Sequence, residues 1–283
     1  MRSPSRVPTR AIFGAAIAMA AAFALTACGD SDDEAESLSY ALSGEGKAAK
    51  FSGPESAESG EAEIAFANET KGEAELQLIR VEGDHSAADV VAGLEAATRG
   101  KPFPDWFFAG GGVSSTKPGQ TKTVTQVLEP GTYYTTNVEA GVPDPKSMVA
   151  LEVTGEESDQ ELEADATVKA AEYTFEDEGL QAGANEIAFQ NVGAQPHHLI
   201  VAPIKGDATI EEVQKAFAGK GGGKPPIDEK GIQTATAVVE GGESQLVDVD
   251  LEPGRYAFIC FLSDRQGGPP HVAKGMVKEV DIE

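Results

Sequence analysis

Thiols and imidazoles are scarce in this chain, which has two cysteines and four histidines among 283 residues. Two cysteines cannot build a multi-disulfide scaffold. Aromatics make up only 6%, yet the apolar share is an ordinary 40%, so a packed core is available and the composition argues against global disorder. Basic residues are also few, 22 against 47 acidic ones. So acidic a surface repels nucleic acid and anionic headgroups, and suits solubility or a basic protein partner. No Gly-rich phosphate loop, Ser/His/Asp arrangement or basic aromatic patch stands out.

What is present begins at the N-terminus. Arg2, Arg6 and Arg10 precede the apolar stretch "AIFGAAIAMAAAFALTA", too short and too rich in small residues for a comfortable membrane span, so residues 1–27 read as an export signal. The signal ends in "LTAC", which resembles the bacterial lipobox, whose cysteine is acylated and becomes the mature N-terminus. The resemblance implies a lipid anchor at Cys28 and a place at the cell membrane on its extracytoplasmic face. Each buried methylene of an acyl chain adds roughly 0.8 kcal/mol of anchoring. Without the signal the chain keeps 19 basic and 47 acidic residues, a net charge near −28. If Cys28 carries lipid, Cys260 is the one thiol left in an oxidising setting, a liability unless it is buried or ligated.

The second feature is an internal repeat. "EIAFANETKGEAELQLIRVEGD" (63–84) aligns with "EIAFQNVGAQPHHLIVAPIKGD" (186–207), and "LEPGTYY" (128–134) with "LEPGRYA" (251–257), both at an offset of 123 residues. Each copy reads as about seven short strands separated by turn formers, with one helical stretch: "SAADVVAGLEAA" in the first and "TIEEVQKAFAG" in the second. The expected fold is all-β, two tandem Greek-key β-sandwiches, each with a short helical excursion. The expected boundaries are an acidic tether over 28–40, a first domain over 41–155, a linker over 156–166 and a second domain over 167–283.

The third feature is "FICFLSDRQGGPPHVAKGMV" (258–277), which puts Cys260, His271 and Met276 on one stretch, with the pair His197 and His198 in "NVGAQPHHLIV" upstream. These motifs resemble the cupredoxin (type 1 blue copper) family. In that family one histidine follows an N-x-G-x-x-P-H turn, and a cysteine, a second histidine and a methionine come from the last interstrand loop. The resemblance implies a copper site of His197, Cys260, His271 and Met276. A thiolate and two imidazoles with a weak thioether suit a metal cycling between Cu(I) and Cu(II). Neighbours on a strand face opposite sides, and the family pattern selects His197, leaving His198 as a supporting residue or exposed. Ten residues lie between Cys260 and His271, a longer loop than the family's usual one.

The first copy has Ala74, Glu75 and Asn137 at the positions of His197, His198 and Cys260, and only Met148 echoes a ligand. One copper per chain is therefore expected. The leading functional expectation is a membrane-anchored single-electron carrier with a redox or copper-exchange protein partner and no nucleic acid. Copper capture or delivery without redox turnover, and a metal-free binding or scaffold lipoprotein, stand as alternatives. A copper enzyme needs a second centre built from several more histidines, and only His85 and His198 remain, so the chain is expected not to be an enzyme.

Overall fold

Strand β4 (Gly60–Asn68) shows how the pattern becomes structure. Ala62, Ile64 and Phe66 alternate inward and are fully buried, while Glu61 and Glu63 are not. The computed structural model describes residues 35–139, 141–158, 160–219 and 223–283. The rest of the first copy comprises β1 (Glu36–Ser43), β2 (Lys50–Ser52), β3 (Ser56–Glu58), β5 (Ala74–Val81), α1 (Ala87–Thr98), β6 (Phe107–Thr116), β7 (Thr121–Leu128), β8 (Gly131–Thr136) and β9 (Ala150–Thr154). The second comprises β10 (Ala166–Ala171), β11 (Thr174–Glu178), β12 (Gly183–Asn191), β13 (Ile200–Pro203), α2 (Ile210–Phe217), β14 (Gln233–Thr234), β15 (Ser244–Leu251), β16 (Gly254–Ile259), α3 (His271–Lys274) and β17 (Val277–Ile282). Strands β4, β7 and β8 recur as β12, β15 and β16 at the 123-residue offset seen in the sequence.

Each copy is a sandwich. The first packs its share of a large sheet against the five-stranded sheet β3-β9-β8-β5-β6, and the second packs against the four-stranded sheet β14-β13-β16-β17. The repeated "LEPG-x-Y" turn builds the same corner twice: Tyr133 donates its hydroxyl to the Glu129 carbonyl and Tyr256 to that of Glu252, each at 2.9 Å. Helices α1 and α2 each start at a capping box, Ser86 with Asp89 and Thr209 with Glu212, which satisfies first-turn N–H groups. Phe66, Phe189 and Phe258 are fully buried in one apolar cluster, each worth roughly 1.5–3 kcal/mol of transfer free energy.

The two copies are fused more closely than a linker implies. Equivalent strands β7 and β15 pair antiparallel, Gln126 with Gln245 and Thr125 with Leu246, which joins four strands of each copy into one eight-stranded sheet, β11-β10-β12-β15-β7-β4-β1-β2. Residues Ala35–Glu283 accordingly form one compact unit. Two expected boundaries shift. Residues 36–40, expected in the tether, belong to β1, because Leu38 and Tyr40 turn inward beside β4. The expected linker over 156–166 buries Leu162 and ends in the first residue of β10. Cys28 and the export signal lie outside the described residues. Among the described residues no helix is long and apolar enough to cross a membrane.

Candidate metal centre

The turn before His197 is closed by its own asparagine. Asn191 donates to the carbonyls of Gln195 (2.8 Å) and Val239 (3.0 Å) and accepts from Gly193 N–H (3.1 Å). The backbone of His197 then exchanges two 3.0 Å hydrogen bonds with Val239, which holds that residue in the sheet. Cys260 follows directly on β16, one of the central strands of the four-stranded sheet. His271 opens the short helix α3, which ends at Gly275 with φ +116°. That left-handed conformation favours glycine and turns the chain back into β17. Met276 donates its N–H to the His271 carbonyl (2.9 Å) and is fully buried in the apolar cluster that also holds Cys260.

Three donor atoms converge. Cys260 Sγ lies 3.7 Å from His197 Nδ1 and 3.5 Å from His271 Nδ1, and the two nitrogens are 3.1 Å apart. All three residues are fully buried. Burial, with the neighbouring His271 second, lowers the His197 pKa to about 4, and burial likewise lowers that of His271. Both imidazoles are therefore neutral and can offer a lone pair. Burial pushes the Cys260 thiol up to about 11, while backbone N–H groups of His198 and Leu262 work against it. The thiol stays protonated until a cation takes the proton's place. Among the described residues this is the one cluster of three or more His, Cys, Asp or Glu donors able to hold a metal.

The donor chemistry fits copper: one thiol, two neutral imidazoles and a buried thioether, which is a soft set. The proton on His271 can also be located. Its Nε2 lies 3.0 Å from Asp264 Oδ1, and an ionised carboxylate only accepts, so the proton sits on Nε2 and the lone pair on Nδ1, facing the site. Asp264 in turn accepts from Tyr173 OH (3.0 Å) and pairs with Lys274, which itself donates to Tyr173 OH (3.0 Å). The Tyr173 ring meets His271 edge-on at 5.3 Å between centroids. Tyr173 has φ +62° and is the one non-glycine with positive φ among the described residues. A conformation that costs about 1–3 kcal/mol is thus spent beside a ligand candidate.

His198 is not one of the converging donors: its Nε2 accepts from Phe261 N–H at 3.0 Å, which steadies the backbone just after Cys260. In the first copy Asn68 closes the equivalent turn through Gly72 and Thr116 carbonyls, but Ala74 follows where His197 would be. Asn137 instead accepts from Glu75 N–H (3.3 Å). His85 stacks on Trp106 at 3.8 Å and is far from any such cluster in sequence and element. Sequence reasoning missed Asp264, Tyr173 and Lys274. The unusual length of the loop after Cys260 was the one available signal for the first, and nothing marked Tyr173, 87 residues upstream of Cys260.

No protein-family model matches the sequence, and neither does any curated protein. Solved structures do match. Auracyanin from Roseiflexus castenholzii is 22% identical, over 41% of this chain and 94% of its own, with a TM-score of 0.28. Copper nitrite reductase from Nitrosomonas europaea is 14% identical, over 88% of this chain and 94% of its own, with a TM-score of 0.26. The multicopper oxidase mgLAC is 12% identical, over 88% and 86%, with a TM-score of 0.24. These comparisons correct one expectation. The chain was expected not to be an enzyme, and that expectation is not upheld: the matched structures include a copper nitrite reductase and multicopper oxidases, which are enzymes.

Proposed function

We propose that the protein binds one copper ion through His197, Cys260 and His271, with Met276 as a weak fourth donor, and serves as a type 1 electron-transfer protein. The observation that carries this reading is the buried meeting of one thiol and two imidazole Nδ1 atoms within 4.8 Å of one another. When bound, copper supplies a one-electron change between two oxidation states. The chain supplies the rest. Cys260 gives up its proton, Asp264 keeps the His271 lone pair aimed inward, and His198 holds the backbone beside the thiolate. Complete burial keeps water off the donors, which favours a site that changes charge with little rearrangement.

The absence of a comparable donor set at Ala74 and Asn137 supports a single copper per chain. The "LTAC" motif supports acylation of Cys28 and attachment to the outer face of the cell membrane. The strongly acidic composition suits a basic protein partner for electron or copper exchange and disfavours nucleic acid.

Purified protein titrated with Cu(II) should develop an intense visible thiolate-to-copper band that saturates at one equivalent and is lost in Cys260→Ser. Two equivalents, or undiminished binding in Cys260→Ser, would refute the assignment. A protein that binds copper but shows no reversible one-electron wave would be a copper-capture protein instead. Metabolic labelling with a fatty acid should tag the wild type and not Cys28→Ala.

A further inference from the structure

The copy that lacks the donor set touches the site from two sides. Arg265, next to Asp264 in the ligand loop, reaches across to the other copy. Its guanidinium donates to the carbonyls of Phe107 (2.8 Å) and Pro104 (3.1 Å) in the first copy and pairs with Glu240 (2.8 Å). It also lies over the Phe108 ring, 4.8 Å from its centroid. The Arg265 backbone is held too: its N–H donates to Gln195 Oε1 (2.9 Å) and its carbonyl accepts from Phe103 N–H (2.8 Å). A loop of ten residues is thereby pinned one residue after the carboxylate that holds His271.

The second contact reaches His197. Segment 238–240 lies between β6 of the first copy and the His197 backbone. On one side Gly111 N–H donates to the Val238 carbonyl (3.0 Å), Glu240 N–H to the Ala109 carbonyl (2.9 Å), and Ala109 N–H to Glu240 Oε2 (3.1 Å). On the other, Val239 makes its paired hydrogen bonds with His197. Glu240 joins the two contacts, since the same carboxylate oxygen takes Ala109 N–H and the Arg265 guanidinium. Both charged side chains are largely shielded from water, at 18% and 10% exposed. Charge-assisted hydrogen bonds in such surroundings fix geometry more firmly than surface pairs do.

We propose that the first copy is the fixed wall of the copper site, and that Arg265, paired with Glu240, is the positioning residue that locks the ligand loop and the His197 segment onto it. The proposal rests on the copper reading above. Arg265 touches no donor atom and acts through Asp264 and Val239. This assigns the first copy a task in holding the site, not merely in carrying it.

Arg255 offers a matched control. It too binds one carboxylate, Glu279 (2.6 Å), and two carbonyls, Gly206 (3.2 Å) and Ala208 (2.9 Å), but all of these lie in the second copy and away from the donors. In the full-length protein, copper affinity is read by competition with a chelator while the visible band is followed. Arg265→Met, which keeps the aliphatic stem and loses every donor, should weaken copper binding roughly tenfold or more and broaden or shift the band. Arg255→Met should leave both as in the wild type. Equal affinity and an identical band in Arg265→Met and wild type would overturn the clamp while leaving the copper reading intact. A wild type that binds no copper would overturn both. Should Arg265→Met fail to fold, Glu240→Gln decides: it keeps an acceptor for Ala109 N–H but loses the charge opposite Arg265. A measurable loss of copper affinity supports the clamp, and wild-type affinity refutes it.

Discussion

Removing the Asp264 carboxylate tests how much the residues behind the donors contribute. In Asp264→Ala, bound metal still claims the His271 Nδ1 lone pair, so the ring proton stays on Nε2, where its acceptor at 3.0 Å has gone. A buried donor left without a partner costs about 1–3 kcal/mol. Without metal the ring is free to take its other tautomer, so the cost falls mainly on the bound state. At about 1.4 kcal/mol per tenfold, copper affinity should drop roughly fivefold to 150-fold. The Asp264 side chain is 22% exposed while His271 is fully buried, so water reaching the vacated edge should bring the loss towards tenfold. Lys274→Ala sets the comparison, because it removes a partly exposed ion pair worth only about 0.2–1 kcal/mol and leaves the acceptor on His271 in place. Chelator competition, monitored by the visible band, measures both. Unchanged affinity in Asp264→Ala, or an equal loss in Lys274→Ala, would show that the carboxylate does not hold the ligand.

His197→Ala should abolish the charge-transfer band, whereas His198→Ala should keep it with a modest shift from the lost Phe261 N–H contact; absorption spectra showing the reverse would mean the strand is read one residue out of register. Met276→Leu should retain copper and raise its reduction potential in a redox titration, since a donor favouring the higher oxidation state is lost, and an unchanged potential would make Met276 core alone. Glu243 gives a pH test: burial raises its folded pKa to about 7 against an ordinary 4.5. A raised acid contributes its stability below the unfolded value and loses it as pH rises through the folded one. Glu243→Gln should therefore gain stability relative to wild type between pH 5 and pH 8 in denaturant melts, and a constant difference would contradict the raised pKa of this carboxyl.

Much of the fold was legible because it rests on local rules. The apolar run in "EIAF" and the turn formers in "LEPG-x-Y" act within a few residues, and the 123-residue repeat doubled each signal. The choice of His197 over His198 was different in kind. The flanking "LIV" is apolar on both faces, so alternation alone was silent, and only the likeness to a known motif pointed to the residue whose ring faces Cys260.

The residues behind the donors were not legible. Tyr173, Lys274 and Asp264 come together across as much as 101 residues of chain, and Arg265 reaches Phe107 across 158. A hydrogen bond between polar side chains leaves no periodic trace in sequence, because it depends on where two surfaces meet and not on how either element forms. The same holds for the fusion of the copies: nothing in β7 or β15 alone says that its edge pairs with its own repeat. Sequence by itself determined the strands, their duplication and the types of donor available, since spacing and side-chain chemistry suffice for those. Tertiary structure alone decided that the duplicated sheets join and that the copy without donors walls the site, because those outcomes come from long-range packing of surfaces that only exist once each half has folded.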